Sequence, residues 1–212
     1  MTTDILFVVG LLTALLWCGA QAVKALTTTQ GVSLAQYIAF SFGFMIQFAL
    51  ALEAKRKSVV DHRRIITQQV YLFTAWSTCS VLLIAVVMTR DGYTWSTADS
   101  TIAKLASAGV AATAVWAFYT KKPHDDAVVR AWVNISLKSL PQFLLIMKIW
   151  SEGSAGITTV AIVLGETSIL TRLIPLSVSL RTEGVSRDKI WLFVSDTVNL
   201  VSWTVTVVWL VK

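Results

Sequence analysis

Four ionisable residues, Lys138, Glu166, Arg172 and Asp196, fall well inside apolar runs in the second half of a 212-residue chain. A charge near the centre of a bilayer costs at least about 2.5 kcal/mol on insertion scales. Groups so placed need a partner or a purpose. Their charges sum to zero. Counted at about 1.5 Å per residue from the basic end of the helices, Arg172 and Asp196 both lie roughly 10–12 Å deep, Lys138 roughly 15 Å and Glu166 roughly 21 Å. Depth therefore pairs Arg172 with Asp196 and Lys138 with Glu166. The chemistry open to such groups is ion pairing, capture of a solute carboxylate, or coupling of a membrane acid to protons.

Polar and aromatic residues recur on single helix faces. In the last apolar run Asp196, Asn199, Trp203 and Thr206 fall within about 80° of one another, and most of the valines lie elsewhere. The third run carries a similar stripe, Gln69, Phe73, Trp76 and Ser80. An aromatic face beside an amide suits a sugar or another small polar solute: the ring covers C–H surface and the amide exchanges hydrogen bonds. Each residue also has a plainer reading. Gln47, Gln69 and Asn134 can bond only to a neighbouring helix, Trp76 and Trp203 can be packing, and Arg172–Asp196 can be a structural lock.

The elements that must hold these residues follow from composition. The chain is 55% hydrophobic and 14% charged, with mean hydropathy +0.68, whereas soluble domains carry about 25% charge. A spanning helix needs about 20 apolar residues, and such runs cover roughly 4–23, 34–52, 66–88, 101–119, 128–149, 157–180 and 190–211. They leave no room for a soluble domain. The first run lacks a basic leader and reads as a retained helix. The net charge of +6 lies in loops at membrane edges, which argues for lipid contact and against nucleic acid. Most Lys and Arg near the helix ends, Arg130 among them, lie on the face that holds the N-terminus and the loops after the second, fourth and sixth runs, so the positive-inside rule puts the N-terminus in the cytoplasm.

The stretch Ser139 to Thr158 organises the rest. Pro141-Gln142 breaks one run, a short link follows, and Gly156-Ile157-Thr158 opens the next. A weaker copy reads Ala20-Gln21, then Gly31-Val32-Ser33. The fifth to seventh runs thus repeat the plan of the first three. An odd linking helix between them makes the repeats parallel, a known transporter plan. The expected fold is an all-α membrane protein of seven transmembrane helices: residues 1–90 form one three-helix bundle, 91–120 the linker helix, and 121–212 the second bundle. Pro141, Gln142 and Pro175 are candidate hinge positions, because a proline frees a backbone carbonyl within a helix.

With these residues in view the chain resembles the SWEET, SemiSWEET and PQ-loop superfamily of small-solute transporters. The resemblance covers nearly the whole length and rests on Pro141-Gln142, the glycine-led helix openings and the repeat. It implies alternating access around a midplane site. It matches Asn199 to a midway substrate-binding Asn of the last helix, Gln68 or Gln69 more loosely to a polar position of the third, and Gln47 and Arg172 to cavity-lining positions after Gly31 and Gly156. The departures are specific. The first copy has no proline and a shorter link. The family's N-terminus lies outside. The buried charges are closer to PQ-loop carriers of amino acids than to sugar carriers.

The expectation is a transporter of a small polar solute, sugar or amino-acid-like, with Asn199, Gln69, Trp76, Trp203, Arg172 and Gln47 contacting it and Asp196, Glu166 and Lys138 coupling or gating. The alternative is a receptor or sorting protein of the same fold that binds a carboxylate-bearing ligand without moving it. Neither reading calls for a cofactor or metal, and a homo-oligomer is left open. An enzyme is not expected: His62 and His124 lie in loops, and no nucleophile or metal-ligand spacing occurs. The last run lacks a mid-helix lysine for a retinal Schiff base.

Overall fold

The computed structural model describes residues 2–57, 63–90 and 92–211. His62, the turn residue Asp91 and the terminal Lys212 lie outside them. The described residues form α1 (Thr2–Thr27), α2 (Leu34–Lys57), α3 (Arg63–Met88), α4 (Thr97–Tyr119), α5 (127–152), α6 (Thr159–Thr182) and α7 (Arg187–Val211), with no strand among them. All the helices but α5 are long and apolar enough to cross a membrane, six in number among the described residues, as a multi-pass membrane protein requires. Every backbone polar group in lipid must be satisfied internally, which is why the apolar runs become unbroken helices.

The exception has an identifiable cause. α5 consists of Ala127–Asn134, a π-helical turn Ile135–Ser139 and Leu140–Glu152. Pro141 has no N–H, and its ring would clash with the carbonyl four residues back. The chain widens ahead of it, and the Leu140 amide donates to Ile135 O. The irregularity expected at Pro141 therefore falls one turn earlier. It holds Lys138, and π turns of this kind often mark functional positions.

Packing follows a consistent order. α3 packs on both α1 and α2, and α7 on both α5 and α6. Across the molecule α1 meets α6 and α2 meets α5, while α4 lies on α5 and α2. The core is aromatic: Trp17 against Trp76 at 5.0 Å, Trp76 stacked on Phe44 at 5.4 Å, and Phe40 stacked on Trp203 at 6.1 Å between ring centroids. Gly165 permits this packing, because a Cβ there would stand 2.2 Å from the Trp203 ring.

The two links singled out in the sequence touch each other. Gly31, at φ 77°, comes so close to Gly153 that a Cβ on it would stand 1.9 Å from Gly153 O. The Gly156 amide donates to Gln30 O at 2.8 Å, and Gln30 Nε2 donates to Glu152 O. Gln21 reaches from α1 to the other link, donating to Gly156 O at 2.7 Å and accepting from the Thr158 amide at 3.4 Å.

Candidate functional site

The end of the helix array away from these links holds a cavity of about 420 Å³, half open, between α1, α2, α3, α5, α6 and α7. Its lining comes from the N-terminal parts of α1, α3, α5 and α7 and the C-terminal parts of α2 and α6, so every contribution lies towards one face of the bundle. That volume falls within the usual range of small-molecule sites.

The structure brings six of the expected residues to this cavity: Gln47, Gln69, Lys138, Arg172, Pro175 and Asp196. Arg172 Nη2 donates to Asp196 Oδ1 at 3.1 Å, with both side chains only partly exposed. Matched depth made this pair legible in the sequence, and it forms because α6 and α7 are direct neighbours. The expected Lys138–Glu166 pair does not form among the described residues, despite the matched depth. The reason is topological: α7 packs between α5 and α6, and α5 and α6 make no substantial contact. Lys138, 4% exposed, instead places its ammonium 4.2 Å from the centroid of Phe44 and 5.7 Å from that of Phe73. Such cation–π contacts contribute about 0.5–2 kcal/mol, less than a buried charge costs to desolvate.

Two lining residues were given other roles or none in the sequence. Arg130 looked like a membrane-edge charge, yet it lines the cavity and its buried Nε has no hydrogen-bond partner. Asn134 accepts from Gln47 Nε2 at 3.4 Å and donates to Ser195 Oγ at 3.3 Å, tying α2, α5 and α7 together along the wall. At the mouth Gln68 Nε2 donates to Asp4 Oδ1 at 2.7 Å, joining α3 to α1.

Asn199, Trp76 and Trp203 are buried and do not line the cavity. The two tryptophans belong to the aromatic core. Lys138 rests on Phe44, a ring of the same cluster, so the cavity ends at this cluster. Asn199 Oδ1 and Trp76 Nε1 are buried without a hydrogen-bond partner. Glu166 is half-buried on α6, away from the cavity, and makes no ion pair among the described residues.

A second polar centre lies towards the links. Gln142, placed in the sequence as part of a hinge, is fully buried: it accepts from Gln36 Nε2 and donates to Thr206 Oγ1 at 3.0 Å, joining α2, α5 and α7. Beside it the fully buried Lys148 Nζ contacts Asp99 Oδ2, Ser96 Oγ at 3.0 Å and Glu152 Oε1 at 3.1 Å. Asp99 also accepts from Ser33 Oγ at 2.7 Å and from the Tyr93 hydroxyl at 3.1 Å. Burial pushes the Tyr93 phenol above its ordinary range; the hydroxyl stays protonated, donating to Asp99 while it accepts from the Leu34 amide at 3.0 Å. Neither Asp99 nor Lys148 stood out in the sequence. A signal was present: Ser96 and Asp99 have capping-box spacing, and the box is formed at the start of α4.

Comparison with family models, curated proteins and solved structures gives no match to this chain.

Proposed function

We propose that this protein is a membrane transporter of a small polar solute, working by alternating access. The observation that carries the reading is the one-sided cavity: a mainly apolar wall carrying a few polar and charged groups, set between helices of both halves, and ended by a packed aromatic cluster beyond which two polar clusters tie the links together. A carrier in one of its two end states has that form, with the site reachable from one face only. The packing order gives further support. α1–α3–α2 and α5–α7–α6 follow the same pattern, and the α1–α6 contact corresponds to the α5–α2 contact. Two parallel repeats joined by α4 account for this order, and α5, although broken by its π turn, is then the seventh span: 26 residues at about 1.5 Å each exceed the hydrocarbon thickness. This is the plan of SWEET and PQ-loop carriers, and it puts the cavity on the basic face, cytoplasmic by the positive-inside rule.

In this reading Arg172, Gln47 and Gln69 contact the solute in the cavity, Asp196 holds Arg172 in place, and the π turn before Pro141 lets α5 bend. Asn199, Trp76 and Trp203 meet the solute only as the aromatic cluster parts. The test is uptake into proteoliposomes across a panel of radiolabelled glucose, alanine and succinate. Saturable uptake of a panel member is expected, and Arg172→Gln should lower it at least tenfold while the folded yield is kept. Binding without flux would instead favour the receptor reading, for which a cationic cavity is equally suited.

A further inference from the structure

We infer that the solute is a small organic anion, its carboxylate or phosphate held between Lys138 Nζ and the free edge of the Arg172 guanidinium. The inference rests on reading the cavity as the solute site. The charged groups of the lining are Arg130, Lys138 and Arg172 against Asp196, three cations to one carboxylate, a formal charge of +2. The single carboxylate is already engaged by Arg172. Lys138 is buried at the inner end of the cavity; its ammonium lies over aromatic rings and makes no ion pair among the described residues, and its charged neighbours are Arg172 and Asp196. Arg130 has Asp125 and Asp188 as electrostatic neighbours, but neither of them lines the cavity.

These facts separate the solute classes. A cation entering the cavity meets a lining of net positive charge. A neutral sugar satisfies amides but leaves Lys138 and Arg172 to share the one carboxylate, Asp196, with no further counter-charge. An anion supplies it. Arg172 spends one N–H on Asp196 and keeps others in a planar fork suited to a carboxylate or phosphate, and the flanking Gln47 and Asn134 amides can bond the rest of the solute. Lys138 and Arg172 stand on α5 and α6, which do not pack on each other, so an anion between them bridges two helices that the protein alone leaves apart.

The test uses the full-length protein in detergent and measures thermal stabilisation and binding isotherms with succinate, glycerol 3-phosphate, glucose, alanine and arginine. Succinate or glycerol 3-phosphate should stabilise the wild type, and which of the two does so separates carboxylate from phosphate recognition. Lys138→Met, which keeps the stem and removes a buried charge that makes no ion pair among the described residues, should melt no lower than wild type without ligand yet bind the anion at least tenfold more weakly. Lys138→Arg should recover part of the loss. Failure of both anions to bind, or equal binding by wild type and Lys138→Met, overturns the inference. Liposome flux separates it from the transport reading: anion binding without flux sinks the carrier and leaves the anion site, whereas saturable glucose flux without anion binding keeps the carrier and sinks the anion site.

Discussion

At the scale of single residues the molecule sorts its buried charges into two kinds. Lys148 and Asp99 are fully enclosed and fully partnered, a network in which each donor has an acceptor. Removing one partner of such a pair leaves the other charge stranded, a loss of about 3–5 kcal/mol. Lys148→Met and Asp99→Asn should therefore each destabilise the protein by about that amount in thermal or denaturant unfolding, and the double substitution Lys148→Met with Asp99→Leu should recover much of it. Lys138 is the opposite kind, buried with no carboxylate in ion-pair contact among the described residues, and Lys138→Met should not lower stability. The sequence made Arg172–Asp196 legible, because both residues interrupt apolar runs at one depth. Asp99 and Lys148 were hidden, because a charge near the end of a run looks like an interfacial anchor. Only packing against α2 and the 93–96 turn encloses them.

At the scale of elements, apolar run length located every helix to within a few residues, since bilayer thickness dictates it directly. Run length carries no information about which helices touch. The Lys138–Glu166 pairing failed on that point alone: the depths agreed and α7 stood between. The π turn was half legible: the sequence put a break at Pro141-Gln142, and the structure sets it one turn earlier. The two links are the elements where the sequence pattern mattered most, and they make a sharp prediction. Gly31→Ala adds a Cβ at positive φ directly against Gly153 O, which should cost more than about 2 kcal/mol through strain and overpacking combined. Gly19→Ala, with nothing near its Cβ, should be close to neutral. Thermal melts of the two variants side by side check this, and equal melting temperatures would contradict the contact between the links.

At the scale of the whole molecule, the described residues place the cavity towards one face and the packed links towards the other. In a background with Cys18 and Cys79 replaced, a cysteine at Gln69, exposed in the cavity, should react rapidly with a membrane-impermeant thiol reagent applied to the face bearing the N-terminus. It should not react when the reagent is applied to the other face. A cysteine at Ser33, fully buried beside Asp99, should resist reagent from either side in this state. Reaction of both positions from one face would contradict the one-sided form. The face of the links also carries its own clock. The bond from the Gly156 amide to Gln30 O crosses between the halves, so that amide can trade its proton for deuterium only when the links separate. If the protein works by alternating access, exchange at that amide should report how readily the links open, without any solute or label, and a substance that holds one state should slow or quicken that single site.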